Sequence, residues 1–232
     1  MTSIGKISKL AGSAYLIIFI SGIFANFLVI ENMVVPGDAS ATLLNITSND
    51  SLFRLGIISF IIMVLADLFV TWALYILFKT QDENTSLLAA WFRLVNVTIF
   101  AIALFHLFTV LQLANESDSL LAFTSSQLQS QIMLSISAFN NTWLLGLIFF
   151  GIHLFILGYL IIKSPYVSNI IGYLLILAAF GYLTDSFAHL LLPSYDNYKD
   201  IFMLIVVIPG VIGELSLALW LLFKGMNKTS AS

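Results

Sequence analysis

The sequence predicts an all-α transmembrane bundle of six spans with both termini in the cytoplasm. Three observations predict this fold class. The 232 residues are 60% apolar and only 9% charged, whereas a soluble domain is about 25% charged. Six apolar runs reach the roughly 20 residues that a helix needs to cross the hydrocarbon core of a bilayer. The connections between these runs alternate in charge, as they do in multi-pass membrane proteins.

Most of the six runs are joined by short connections, which favours antiparallel neighbouring helices in one bundle. We therefore expect a single transmembrane domain over residues 1–232. The first run is longer than the apolar part of a signal peptide, and no A-x-A cleavage pattern follows it, so we interpret it as an uncleaved anchor. The expected spans are 10–30, 53–78, 87–113, 136–162, 166–192 and 201–223.

The distribution of charge predicts the orientation. The connections on the side of the N-terminus carry most of the lysines: Lys6, Lys9, Lys79, Lys163, Lys224 and Lys228. The opposite side carries Lys199 and a series of acids: Glu31, Asp38, Asp50, Glu116, Asp118, Asp196 and Asp200. By the positive-inside rule both termini lie in the cytoplasm. The expected location is the bacterial inner membrane.

Two connections are longer than the others. Residues 31–52 contain "VVPGDASATLLNITSND", a polar stretch whose composition is typical of a loop. Residues 116–130, "ESDSLLAFTSSQLQS", can form a short interfacial helix that leads into the fourth span. Neither connection has the length of a soluble domain.

Composition also excludes several classes of function. The chain has no cysteine, so disulfides, thiolate metal sites and thiol nucleophiles are excluded. The net charge of -3 does not indicate a nucleic-acid partner. The expected partners are the lipid bilayer and a small-molecule or lipid ligand, while the oligomeric state is left open.

Eight ionisable residues lie inside the expected spans, where a central charge costs about 2.5–3.5 kcal/mol and usually faces the bundle interior. Counting from the span ends divides them by depth into two groups. The outer group is Arg54, His106, Asp185 and His189, and the inner group is Asp67, Arg93, His153 and Glu214. Because an unpaired buried ion is much more costly than a paired one, we expect Arg93 to pair with Glu214 or Asp67, and Arg54 with Asp185.

The histidines raise the question of a cofactor. His106, Asp185 and His189 are a sufficient ligand set for a catalytic zinc, and His106 with His189 could be the axial ligands of a haem. No H-E-x-x-H or paired histidine motif supports either alternative. We therefore predict no cofactor, with zinc and haem as the weaker alternatives.

The sixth span contains a proline close to a buried acid. In "VVIPGVIGELSLALW", Pro209 and Gly210 precede Gly213 and Glu214 by about one turn. Proline lacks the N–H that would bond the carbonyl four residues earlier, so it kinks a helix. A kink beside Glu214 would suit a substrate or proton site, although it also occurs in inert spans.

Several phrases together resemble a known family of membrane proteins. They are "KLAGSAYLIIFISGIF", "FRLGIISFIIMVLADLFVTWALYILFK", "LLAAWFRLVN", "GIHLFILGYLIIKSPYVSNIIGYLLILAAFGYLTDSFA" and "GELSLALWLLFKG". Over residues 9–225 they are similar to the bacterial family called domain of unknown function four-three-eight-six. The resemblance implies a six-helix integral membrane protein, and it supplies no catalytic residues.

Three functions are compatible with these observations. The first is binding or movement of a small molecule, lipid or ion through the polar interior of the bundle. The second is an intramembrane metal-dependent hydrolase that uses His106, Asp185 and His189. The third is a non-catalytic structural or regulatory membrane subunit, in which the buried polar residues only tie helices together.

Overall fold

The computed structural model describes residues 4–115 and 123–225, and within these ranges the protein is helical without β-strands. Seven α-helices of ten residues or more make up most of these ranges. They are α1 (Ile4–Ile23), α2 (Ala39–Ser48), α3 (Asp50–Phe78), α4 (Glu83–Ala114), α5 (Ser125–Lys163), α6 (Asn169–Leu191) and α7 (Lys199–Phe223). A π-helical segment, Phe24–Ile30, and the short helix Glu31–Met33 extend α1.

Six helical segments are long and apolar enough to cross a membrane, which confirms the predicted six spans. They are Ile4–Met33, Asp50–Phe78, Glu83–Ala114, Ser125–Lys163, Asn169–Leu191 and Lys199–Phe223. Their exposure is the reverse of that in a soluble protein, because large apolar side chains such as Ile20 and Leu65 are more than 60% exposed while Arg93 is 1% exposed. On helices long enough to cross a bilayer, such an exposed apolar surface indicates contact with lipid. The protein is therefore an all-α, multi-pass membrane protein.

The Cα positions form two compact units. Within the described residues, unit 1 comprises 4–16, Ala66–Val97 and 144–225, and unit 2 comprises Ile17–Leu65, 98–115 and 123–143. Helices α1, α3, α4 and α5 contribute residues to both units. The expectation of a single domain over 1–232 stays a prediction.

Glycines allow close helix contacts in unit 1. A Cβ atom on Gly158 of α5 would lie 2.7 Å from the carbonyl oxygen of Gly172 in α6, and a Cβ on Gly172 would lie 2.7 Å from that of Gly158. Gly12 of α1 packs in the same way against the backbone of α7 at Ala218 and Leu222. Small residues at such crossings let membrane helices approach closely enough for backbone contact.

The carbonyl that Pro209 leaves without a helical donor lies opposite a glycine. Pro209 has no N–H to donate to Ile205 O, the carbonyl four residues earlier in α7. A Cβ on Gly181 of α6 would lie 2.6 Å from this oxygen. Gly181 therefore makes room for the carbonyl that the proline deprives of its helical partner.

The core of unit 2 contains a cluster of aromatic rings. Trp143 stacks on Phe100, with ring centroids 3.6 Å apart and planes 8° from parallel, and it contacts Phe60 and Phe139 at 5.2 and 5.4 Å. The two tilted pairs are of the kind that contributes about 0.5–1.5 kcal/mol each beyond the area that they bury.

The structure changes the interpretation of the two long connections. Residues 39–48, expected as loop, form α2, because Asp38 Oδ1 accepts a hydrogen bond from Ala41 N at 2.8 Å and caps the helix. Of the second connection, 116–122 lie outside the described residues, and 125–130 are the first residues of α5 rather than a separate interfacial helix.

Candidate functional site

The centre of unit 1 contains a buried ion pair between α4 and α3. Arg93 Nε and Nη2 both lie 2.6 Å from Asp67 Oδ1. Their side chains are only 1% and 5% exposed. Of the two partners predicted for Arg93, the ion pair forms with Asp67.

The remaining nitrogen of the guanidinium bonds two further helices. Arg93 Nη1 donates to Tyr15 Oη of α1 at 2.9 Å and lies 3.0 Å from His153 Nε2 of α5. The guanidinium carbon lies 5.0 Å from the centroid of the Tyr15 ring and 5.4 Å from that of Phe150, distances at which an aromatic ring attracts a cation. We call Arg93, Asp67, Tyr15 and His153 the arginine cluster.

The hydrogen bonds of His153 define its protonation. Its Nδ1 lies 2.9 Å from Ala89 O, and because a carbonyl only accepts, Nδ1 carries the hydrogen. Its Nε2 faces Arg93 Nη1, which only donates, so Nε2 carries none. His153 is therefore neutral, in the Nδ1–H tautomer.

Glu214 of α7 lies next to this cluster and is less completely bonded. It is 8% exposed, and it interacts electrostatically with Arg93 and Asp67. Tyr182 Oη of α6 donates to Glu214 Oε1 at 3.4 Å, at the long end of the hydrogen-bond range. The Tyr182 ring packs edge-on against Phe150 at 5.3 Å. The inner group predicted from the sequence is thus brought together around Arg93, and its role in binding stays a prediction.

A small cavity adjoins the arginine cluster. It has a volume of about 10 Å³ and is lined by His153 and Ala89 and by the hydroxyl-bearing residues Thr71, Ser86 and Tyr75, among others. This volume is about that of one water molecule. Thr71 Oγ1 donates to Asp67 O at 2.9 Å, so the cavity wall is connected to the backbone of the ion pair.

Each residue of the outer group makes contacts within its own unit. Arg54 was expected to pair with Asp185, but its ion pair is with Asp50, 2.7 Å away and one turn earlier in α3. The physical reason is the (i, i+4) spacing, which puts the two side chains on one face of the helix. His106 Nε2 lies 3.2 Å from Thr142 Oγ1.

Asp185 and His189 share one partner in unit 1. Tyr195 Oη donates to Asp185 Oδ1 at 2.6 Å, and the Tyr195 ring lies 4.4 Å from the His189 ring. Tyr195 belongs to the short turn between α6 and α7. This tyrosine therefore contacts both polar residues near the end of α6.

The metal hypothesis gains no geometric support. Among residues 4–115 and 123–225, no group of three or more His, Asp or Glu side chains is placed to hold a metal ion. A catalytic zinc needs three protein ligands with tetrahedral geometry.

Two residues of these sites were not expected from the sequence. Tyr15 and Tyr195 were not predicted, because a tyrosine in an apolar run or a turn does not stand out by charge. The available signal was the phenol at the tip of an otherwise apolar side chain, which needs a hydrogen-bond partner when it is buried.

The fold and the site define a multi-pass membrane protein with an ionic cluster buried among its helices. The profile of a family described as Domain of unknown function (DUF4386) matches residues 10–225, and the chain belongs to this family. An uncharacterized protein of the archaeon Archaeoglobus fulgidus is 30% identical over 170 residues, which are 73% of this chain and 83% of that protein. No solved structure matches the chain. The resemblance found in the sequence is thereby confirmed.

Proposed function

We propose that the protein binds or moves a small solute through the interior of its helical bundle, and that Glu214 takes up and releases a proton in this process. The observation that supports the proposal is the balance of charges around Arg93. Two buried carboxyl groups, Asp67 and Glu214, interact with one guanidinium, and the close ion pair is made with Asp67. Glu214 therefore has no close counterion of its own among the described residues.

A proton fits this position better than a metal cation. Hard cations such as Ca²⁺ and Mg²⁺ take six or more oxygen ligands, whereas Glu214 has one neighbouring side-chain oxygen in hydrogen-bond range within the described part of the chain, that of Tyr182. A proton requires only the carboxylate itself. Uptake from a hydronium ion converts the carboxylate into a neutral carboxylic acid and leaves a water molecule.

The backbone of α7 supports a mobile position for Glu214. Pro209 interrupts the helical hydrogen bonds about one turn earlier. Gly210 presents only hydrogen toward Tyr182, whose hydroxyl would lie 3.2 Å from a Cβ placed there. This space would let the Tyr182 hydroxyl follow the carboxyl group in a bend of α7 at Pro209.

A structural role is the second candidate, and the arginine cluster favours it. Arg93 bonds Asp67, Tyr15 and His153, so it connects α4 with α3, α1 and α5. Interhelical hydrogen bonds of this type hold membrane helices together. In this structural role Arg93 stabilises the packing of the helices of unit 1, and Glu214 does not take part in proton uptake or release.

Infrared spectroscopy of the purified protein distinguishes the two. A titration from acidic to alkaline pH follows the carbonyl stretch of protonated carboxyl groups, which disappears when they ionise. We expect a buried carboxylic-acid band in the natural protein that is absent from Glu214→Gln. The matched control is Asp185→Asn, which also replaces a carboxylate bonded by a tyrosine, and we expect it to keep the band. If the band persisted in Glu214→Gln, the proton function would be wrong.

The charge distribution supports a cellular location as part of the same proposal. The lysine-rich connections favour cytoplasmic termini, and the protein would then lie in the cell membrane with Glu214 nearer the cytoplasmic side.

A further inference from the structure

Two fully buried polar atoms in unit 1 have no hydrogen-bond partner within residues 4–115 and 123–225. They are Asn96 Oδ1 in α4 and Ser186 Oγ in α6. Both residues are 0% exposed. Leaving such an atom unsatisfied costs about 1–3 kcal/mol, so a buried polar atom without a protein partner indicates that a further group satisfies it.

The helix register places both residues at one level. Helices α5 and α6 run antiparallel, with the Phe150 ring against Tyr182 at 5.3 Å and Gly151 against Leu183. Ser186 lies one turn after Tyr182 in α6, and Gly146 lies one turn before Phe150 in α5. Because the two helices are antiparallel, Ser186 and Gly146 lie at the same level.

Asn96 is bonded to the backbone at this same level. Its Nδ2 donates to Gly146 O at 3.1 Å. This bond orients the amide so that Oδ1 is the end without a partner in the described chain. Asn96 and Ser186 are therefore both at the level of Gly146, Asn96 through its hydrogen bond and Ser186 through the register of α6 against α5.

We propose that Asn96 and Ser186 together hold one internal water molecule. Asn96 Oδ1 can only accept, and Ser186 Oγ can donate and accept, so a water can donate to the first and exchange a hydrogen bond with the second. Internal waters typically make two to four such bonds with otherwise unsatisfied groups. An apolar ligand would leave both atoms unsatisfied, and a metal ion would find only two oxygens.

The position of the water suits proton exchange with Glu214. Of the inferences in this subsection, only this role rests on the proposed function. Ser186 lies one turn from Tyr182, the partner of Glu214. The cavity beside His153 is lined by Ser86, which lies seven residues before Arg93 in α4. Asn96 lies three residues after Arg93 in the same helix, so the cavity and the water are on opposite sides of Arg93 along α4. The water is therefore a second polar position for proton exchange with Glu214, on the other side of the Arg93 level.

A single thiol tests the site, because the natural chain has no cysteine. In Ser186→Cys the thiol replaces a hydroxyl of similar size, and its S–H stretch is the only one in the protein. Transfer into D₂O converts S–H to S–D when water reaches the sulfur. The control is Ala179→Cys, which places the thiol at a fully buried residue of the same helix that packs against Gly151.

We expect the thiol at 186 to exchange about tenfold faster than that at 179, since exchange at a packed apolar residue needs local opening. Adding Asn96→Leu to Ser186→Cys should remove this difference, because the water then loses its acceptor. If Ser186→Cys does not fold, Asn96→Cys puts the thiol on the other side of the same site for the same comparison. Equal exchange at the site and at 179 would overturn the proposal. This measurement does not involve Glu214, so slow exchange together with an intact Glu214 carboxyl band refutes the water site alone.

Discussion

Arg93 Nη1 lies 3.0 Å from His153 Nε2, and this contact requires a histidine without a hydrogen on that nitrogen. The second nitrogen of the ring donates to Ala89 O at 2.9 Å. His153 thus links the arginine of α4 to the backbone one turn earlier in the same helix. The buried guanidinium is held by one carboxylate and by two neutral groups, Tyr15 and His153, which add no further charge.

Removal of the His153 ring should destabilise the protein more than its replacement by an amide. In His153→Ala one N–H of Arg93 Nη1 loses its acceptor, and a buried group left unsatisfied costs about 1–3 kcal/mol. Ala89 O also loses its side-chain donor, but inside α4 it keeps its helical hydrogen bond. His153→Gln retains one donor and one acceptor, so it should recover part of this loss. Thermal unfolding in detergent measures the difference. Equal stability of His153→Ala and the natural protein would contradict the neutral tautomer as a structural link.

The Arg93–Asp67 pair should show strong coupling in a double-mutant cycle. Asp67→Asn leaves a buried guanidinium without its counterion, and Arg93→Met leaves a buried carboxylate, and breaking such a pair costs about 3–5 kcal/mol. The double variant removes both charges, so its loss of stability should be smaller than the sum of the single losses. Unfolding of all four proteins in the same detergent gives the coupling energy. A coupling energy near zero would show that the two residues do not stabilise each other.

The presence of the polar cluster could be predicted because a charge stands out in an apolar run. Asp67, Arg93, His153 and Glu214 were identified in this way, together with their similar depth. The choice of Asp67 over Glu214 as the partner of Arg93 depends on how the helices are rotated about their axes. Apolar residues occur on every face of these helices, so the periodicity of the sequence does not show which face of each helix points toward the interior of the bundle.

The errors have equally specific causes. The predicted second span begins at 53, which leaves Asp50 in a loop and hides its (i, i+4) pairing with Arg54 in α3. Helix α2 differs from the predicted loop because its polar composition is typical of a loop, while its capping signal is a single residue, Asp38, whose side chain accepts from Ala41 N. The unpaired Asn96 and Ser186 atoms are a property of packing alone, and no sequence pattern indicates them.

Gly181→Ala should destabilise the contact between α6 and α7. The added Cβ would lie 2.6 Å from Ile205 O, a backbone atom that cannot move without shifting α7, and overpacking of this kind costs about 1–3 kcal/mol. Gly22→Ala is the matched control, because its Cβ would meet only the flexible Met63 side chain, at 3.2 Å from the sulfur. Unfolding in detergent should separate the two variants. A Gly181→Ala protein as stable as Gly22→Ala would mean that α7 does not hold the Ile205 carbonyl in this position.

The start of α4 should depend on pH through Asp82. Hydrogen bonds from the Thr85 backbone N–H and then from the Thr85 hydroxyl hold the pKa of this carboxyl below its ordinary value. A lowered pKa in the folded state means that the stabilisation is present above the ordinary pKa of aspartate, about 3.9, and is lost as the pH falls through the lower folded value. Asp82→Asn should remove this pH dependence while keeping a cap. The measurement is the unfolding midpoint of both proteins as a function of pH. If the midpoints of the natural protein and of Asp82→Asn fell equally at low pH, the prediction would be wrong.

The orientation predicted from the lysines can be measured with the same cysteine-free background. Thr47 in α2 and Thr80 in the connection after α3 are both exposed, and the span Asp50–Phe78 lies between them. In intact cells a membrane-impermeant thiol reagent should label Thr47→Cys and leave Thr80→Cys unlabelled, because the lysine-rich connections remain in the cytoplasm. Detergent should make both thiols reactive, which controls for reagent access. The reverse pattern would place the termini outside the cell and Glu214 nearer the outer surface, and labelling of both thiols in intact cells would contradict α3 as a membrane span.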